Sequence, residues 1–235
     1  IKEHPARNIT FEQIHVEGTR NIVAAAQAAG IRRLVHMSAL GTRENALSRY
    51  HQTKFAAEQL VRQSGLDFTI HRPSMVHGPG GEFMEMENRW LRKRAAPYLV
   101  MPYFGSGLLG LAGSGRIQPV YVNDVARAFV EALQNPRTIG QTYDLGGAQA
   151  YTWPEFHRAC ARIILGRARW TMPLPAWYAR ALTHILPRFL LPFNRDQVIM
   201  AIEDNTCDLE PFRRAFGWTP ASLEQTLPAY AHQLS

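Results

Sequence analysis

Apolar positions along the chain alternate between two periods. Over residues 11–29, FEQIHVEGTRNIVAAAQAA, Ile14, Gly18, Ile22 and Ala25/Ala26 recur at helical spacing. This predicts a helix with that stripe inward and Gly30 as its stop. A short apolar run follows at 32–38, RRLVHMS, bounded by basic residues and turn formers as a buried strand is. Residues 50–64 return to the helical period with Phe55, Leu60 and Val61 inward. LDFTIHRPS then reads as a second buried strand, stopped at Pro73. Helix, strand, helix, strand is the rhythm of a doubly wound parallel sheet, an α/β fold.

Beyond Gly78 the order loosens. A turn-rich loop, HGPGGEF, precedes a basic helix near 84–96, and GRIQPVYV reads as a strand. Asn123 is placed to cap the helix DVARAFVEAL, whose stripe would be Val125, Phe129, Val130 and Leu133. QTYDLGG predicts a short strand, and Thr152 with Glu155 forms a T-x-x-E capping box opening another helix. Pro173, Pro175, Pro187, Pro192, Pro211 and Pro220 break the C-terminal third into helical hairpins. The expected division gives 1–78 and 117–147 to the sheet domain, and 79–116 with 148–235 to a smaller, mostly helical lobe.

Composition narrows the class. A hydrophobic fraction of 46% with 10% aromatic residues suits a packed core, and 19% charged residues is too few for a disordered chain. No apolar run approaches the length of a membrane span, about 18 residues. The start, IKEHPARN, has no secretory leader pattern and reads as the middle of a longer sequence. Cys160 and Cys207 lie far apart without metal-type or redox-type spacing, so buried thiols in a reducing compartment are expected, and no metal site.

The net charge is +7, and from 151 to 190 there are six arginines against one acid, Glu155. Such a balance suits a solvated basic face or an anionic partner, and no nucleic-acid motif accompanies it. In 175–193, Trp177, Ala181, Leu182, Ile185, Leu186 and Phe189 share one face and Arg180, His184 and Arg188 lie toward the other. That segment either packs on the sheet domain or lies on an anionic membrane.

The chemistry concentrates in SRYHQTKFAAEQLV. Tyr50 and Lys54 are four apart, so on a helix they share a face. A cation beside a phenol lowers its pKa from about 10 by roughly 1–3 units, toward the range useful for general acid–base catalysis. The pair opens a helix between two buried strands, near the strand ends where open α/β sheets bind ligands.

HVEGTRNIVAAA (15–26), RRLVHMSALG (32–41), SRYHQTKFAAEQLV (48–61), LDFTIHRPSMVHGPG (66–80), QPVYVNDVARAF (118–129) and TYDLGG (142–147) together resemble the extended or atypical short-chain dehydrogenase/reductases of the NAD-dependent epimerase/dehydratase type. LPFNRDQVIMAIEDN (191–205) and FGWTPASLEQTLPAY (216–230) are similar too, and the chain is most similar to the group resembling the 39-kDa accessory subunit of respiratory complex I. The resemblance implies a Rossmann-type domain binding NAD or NADP. Tyr50 would be the catalytic acid/base, and Lys54 would bond the nicotinamide ribose and depress the Tyr50 pKa. Pro73, Ser74, Met75 and Val76 would pack on the nicotinamide end, with Asn21 mainly structural. Ser38 could polarise a substrate carbonyl, although Ala39 stands where family members carry the catalytic serine.

The resemblance also implies a missing Gly-rich half, about 80–90 residues at roughly 30 per strand–helix–strand unit. Apolar helix faces and strand edges are then expected to be uncovered. The implied activity is oxidoreductase or epimerase-like on a small molecule; the alternative is a non-catalytic NAD(P)-binding accessory protein of a membrane respiratory or quinone-related system. The implied location is cytoplasmic, or peripheral at the inner membrane or matrix side. Gly105, Gly107 and Gly110 match G-x-G-x-x-G, but no long helix follows, so they predict a loop near the substrate mouth rather than a phosphate cradle.

Overall fold

The computed structural model describes Glu3 and residues 9–95, 98–186, 191 and 193–234. Two compact units emerge: Ile1–Pro73, Ala126–Leu145 and Cys207–Trp218 form the first, and Ser74–Val125, Gly146–Thr206 and Thr219–Ser235 the second.

In the first unit a π-helical stretch, Glu12–Glu17, runs into α1 (Gly18–Ala28), and Gly30 follows it at φ +68°. Next come β1 (Arg33–Met37), α2 (Arg49–Gln63) and β2 (Asp67–Pro73). Ser48 caps α2 by accepting the His51 N–H, satisfying one of the donors left over at a helix start. β1 and β2 are parallel, Arg33 opposite Asp67 through Met37 opposite His71.

In the second unit β3 (Val76–His77) lies parallel to β6 (Val120–Tyr121), with α3 (Glu82–Leu91) between them in sequence. β4 (Met101–Gly105) and β5 (Arg116–Ile117) also precede β6. α4 (Val122–Gln134) follows, and β7 (Gln141–Leu145) returns to the first unit, parallel to β2. The order β1-β2-β7 leaves β1 at the sheet edge among the described residues. β8 (Tyr151–Thr152) pairs antiparallel with β5 and leads into α5 (Trp153–Leu165), opened by the expected Thr152/Glu155 capping box. β9 (Thr171–Pro175) lies parallel to β4. α6 (Ala176–Ile185), α7 (Arg195–Ile202), α8 (Glu210–Phe216) and α9 (Leu223–Tyr230) complete the chain; α8 belongs to the first unit.

Alternation along β2 sends successive side chains to opposite faces. Ile70 meets Val23 of α1 and Val61 of α2, with Leu34, Leu66 and Phe68 packed around them. His71, fully buried, meets Phe129 of α4, Tyr143 of β7 and Phe216 of α8. Helices thus cover both faces of a parallel sheet, as the alternation of elements predicts. At its lower end the Arg33 guanidinium donates to Asp67 O, Thr69 Oγ1, Ala132 O and Thr138 Oγ1 at 2.5–2.9 Å. The second unit's core gathers Met84, Leu91, Met101, Phe156, Leu223 and Leu227.

Several expected faces are wrong. The Glu12–Glu17 stretch buries Val16 and α1 buries Thr19, Val23 and Ala26, while Ile14 and Ile22 of the expected stripe are exposed. α4 begins at Val122, so Asn123 sits inside the helix and donates instead to the Tyr121 hydroxyl. Of its expected stripe, Val125 is buried and Phe129 meets His71, while Val130 and Leu133 are exposed; Ala128 and Ala132 complete the inward side. α6 turns Ala176 and Ala179 inward and leaves Trp177 and Ile185 out; Arg188 and Phe189 lie outside the described residues. On α4 and α6 alanines, Ala128, Ala132, Ala176 and Ala179, take inward positions, whereas on α1 the contact with the sheet is made by Val23. GRIQPVYV is two short strands rather than one, because Pro119 has no N–H to donate to a ladder. Cys160 is buried, Cys207 is half-buried, and neither is in a disulfide. Among the described residues, no helix is long and apolar enough to cross a membrane.

Candidate functional site

At the upper end of the first unit's sheet, the chain leaving β1 stays beside β2: Ser38 N–H donates to His71 O at 2.8 Å and Leu40 N–H to Pro73 O at 2.9 Å. α2 starts over this edge. Lys54 donates from Nζ to the carbonyl of Met37, the last residue of β1, at 3.1 Å. The ammonium is therefore at the C-terminal end of the parallel strands, the position that serves ligands in open α/β sheets.

Tyr50 lies one turn earlier on α2. Its ring is edge-on to Phe11, His15 and His51, at centroid distances of 5.6, 5.1 and 5.3 Å. His15 also stacks on Phe11 and shares a hydrogen bond between Nδ1 and Thr53 Oγ1 at 2.8 Å. Among the described residues no hydrogen bond is made by the Tyr50 hydroxyl, whose surroundings are the aromatic rings of Phe11, His15 and His51. His15 thus touches Tyr50 and feels Lys54, which places both side chains on one side of α2, as their spacing predicts.

The electrostatics differ from expectation. Burial pushes the Tyr50 phenol up to about 12, and Lys54 does not bring it down. The same burial lowers Lys54, against the pull of Glu58. His15 and His36 fall to about 4, first through burial and then through repulsion by Lys54. Desolvation of a neutral acid outweighs a cation held one helical turn away. Tyr50 is accordingly a protonated donor at neutral pH.

Behind Lys54, Glu58 is fully buried and receives Arg72 in bidentate fashion, Nε to Oε1 at 2.8 Å and Nη2 to Oε2 at 2.7 Å. Hydrogen bonds from Arg72 and Ser38 hold its carboxyl below the usual range in spite of burial. Arg62 adds a longer contact at 3.5 Å. Ser38 is itself buried and within 3.3 Å of Thr42 Oγ1, so its hydroxyl is committed to Glu58 and Thr42. Ala39 beside it offers no hydroxyl.

The remaining expected cofactor residues divide between the units. Pro73 ends β2 in the first. Ser74, Met75 and Val76 begin the second: Ser74 donates to the Asn205 carbonyl and accepts the Gln118 N–H, Met75 packs against that unit's core, and Val76 is exposed. Sequence reasoning passed over Glu58, His15 and His36. Glu58 had a signal, standing one turn past Lys54 with Arg72 on the next strand; the two histidines come from separate elements and had none.

Lys54 has three N–H groups and spends one on Met37. The other two suit vicinal ribose hydroxyls, so the donor set fits a dinucleotide. The glycines of the G-x-G-x-x-G match do not: a Cβ on Gly105 would stand 1.9 Å from Gly110 O, so they serve a backbone crossing.

Residues 1–146 match the model of the NAD dependent epimerase/dehydratase family. The chain is 29% identical over 168 residues to the NADH-ubiquinone oxidoreductase 40 kDa subunit of Neurospora crassa, covering 72% of this chain and 41% of that protein. It is 31% identical over 209 residues to NADH dehydrogenase (ubiquinone) 1 alpha subcomplex subunit 9 of Arabidopsis thaliana, covering 84% and 49%. The chain spans about half the length of these curated relatives. Its fold is similar to dTDP-glucose 4,6-dehydratase from Bacillus anthracis, solved in complex with NAD: TM-score 0.69 and 16% identity over 99% of this chain and 70% of that one.

Proposed function

Because the chain belongs to the NAD dependent epimerase/dehydratase family, we propose that the full-length protein binds NAD or NADP, with Lys54 on the nicotinamide ribose and Tyr50 as proton donor in an oxidoreductase or epimerase-like reaction on a small molecule. Residues 1–78 and 117–147 would carry the dinucleotide, and 79–116 with 148–235 the substrate. The observation that carries this reading is the Lys54 hydrogen bond to Met37 O, which fixes a cation with two spare donors at the strand ends. When bound, the nicotinamide supplies or accepts hydride. Tyr50, protonated until about pH 12, gives a proton to a developing alkoxide, and Lys54 stabilises the charge left behind. Pro73, Ser74, Met75 and Val76 would shape the nicotinamide end. Ser38 would reach a carbonyl only by giving up Glu58.

Turnover of the full-length protein with Tyr50→Phe tests the assignment: a loss of about 100-fold or more is expected of a general acid. Equal rates would remove Tyr50 from the chemistry.

The committed Ser38 hydroxyl and the high Tyr50 pKa favour a second reading, a non-catalytic cofactor-binding accessory or assembly protein. The names of the two curated relatives, both mitochondrial, support it, with a respiratory complex as partner and a peripheral place at an inner membrane or matrix face. Retained NADH binding with no turnover across carbonyl and sugar-nucleotide substrates would favour this reading.

A further inference from the structure

The second unit carries a charge asymmetry. Residues 88–123 and 156–195 hold twelve of the chain's 26 Lys and Arg and none of its 19 Asp and Glu. The remaining residues hold 14 basic against 19 acidic groups, a net of −5 beside +12. These two stretches are the ones that pair, through β4 and β9.

The segments at both ends of this ribbon present bare apolar side chains. At one end loop 106–113 is closed by Ser106 N–H to Gly113 O at 2.8 Å and Ala112 N–H to Ser106 O at 3.0 Å. Its Leu108, Leu109 and Leu111 are 77%, 68% and 70% exposed. The approach of Gly105 to Gly110 makes the loop tight, so the leucines are projected rather than slack. Trp177 donates its indole N–H to Leu108 O at 3.0 Å while half its surface stays open; Arg180 and Ile185 of the same helix are exposed. At the other end Met101 N–H bonds Trp170 O at 2.7 Å, and Leu99 and Trp170 are 70% and 83% exposed near Arg167.

We propose that the β4–β9 ribbon, with loop 106–113 and α6, docks the protein on an anionic lipid bilayer. Bare leucines suit the acyl boundary, tryptophans the headgroup level, and arginines from stretches that contain no acid the lipid phosphates. An acidic protein would satisfy the arginines but leave three projected leucines without a role. The proposal is independent of the cofactor reading.

Flotation of the full-length protein with vesicles tests it, using phosphatidylcholine alone and phosphatidylcholine with phosphatidylglycerol. Partition onto the anionic vesicles at least about tenfold above the neutral ones is expected, weakening as salt rises. Leu108→Asp/Leu109→Asp/Leu111→Asp and, separately, Arg167→Glu/Arg180→Glu should each reduce it by about tenfold or more. Brominated acyl chains should quench tryptophan emission in the wild type and not in the leucine variant. Unchanged circular dichroism and NAD(P) affinity in the variants keep fold and cofactor site out of the result. No flotation on either vesicle would overturn the proposal, as would flotation indifferent to both variants. So would a dimer dispersed by the leucine variant with flotation unchanged, which gives the face to a second copy, or capture by an acidic protein without vesicle binding.

Discussion

Lys54 reaches from α2 to the carbonyl of Met37, the residue at which β1 ends, across a hydrogen bond of 3.1 Å. This contact fixes the height of α2 on the sheet, and Tyr50 one turn before it is carried to the same level. The register behind it is held by Glu58 and Arg72, α2 to β2.

That ion pair has a measurable consequence. Glu58→Ala removes the main partner of the half-buried Arg72 guanidinium, leaving it only Asp144 Oδ1 at 4.0 Å, and should cost about 1.5–3 kcal/mol in denaturant unfolding. Glu58→Ala combined with Arg72→Met should be closer to wild type than Glu58→Ala alone. The Glu58 carboxyl is held low in the folded state, so its contribution is present above the unfolded pKa and disappears as pH falls through the folded one.

Removal of the Lys54 charge should be felt by two imidazoles. Lys54→Met should raise the pKa values of His15 and His36 from about 4, since repulsion by the ammonium contributes to both. Proton NMR titration of their ring hydrogens reads this directly, and unmoved midpoints would separate Lys54 from that cluster.

His71 and His77 are buried and also near 4, each through burial first. Their unfolded value is 6.5, so the unfolded chain binds protons first as pH drops. Stability should be whole above about pH 6.5 and decline toward pH 4, by at most about 3 kcal/mol per imidazole at 1.4 kcal/mol per pKa unit. Melting temperatures of His71→Phe across that window should show a shallower decline than wild type.

The capping box at α5 offers a local check. Thr152 Oγ1 accepts the Glu155 N–H, and the Glu155 carboxylate accepts the Thr152 N–H. Thr152→Ala should cost about 1 kcal/mol in thermal unfolding.

Elements were more legible than faces. β1, α2, β2 and β7 follow from apolar runs and punctuation, since Gly30 and Pro73 mark real ends. On α1, α4 and α6 apolar residues occupy more than one face, and periodicity alone does not say which meets the core. Ala26 is buried as its stripe predicts, whereas the buried Ala128 and Ala179 fall outside the expected stripes of α4 and α6. Ile14 and Ile22 are exposed, and among the described residues β1 has a neighbouring strand on one side only. At the site, Tyr50 and Lys54 declare themselves by spacing. Their protonation does not, because Phe11 and His15, which desolvate the phenol, arrive from the first helix.

The most direct measurement is the affinity of the full-length protein for NADH and NADPH, with and without Lys54→Met, followed by nucleotide fluorescence. Loss of charged hydrogen bonds to the ribose should weaken the preferred nucleotide by at least about tenfold, a cost of roughly 1.5–3 kcal/mol, while the thermal transition stays cooperative. Equal affinity in the two proteins would contradict the account and place the ammonium outside the dinucleotide site.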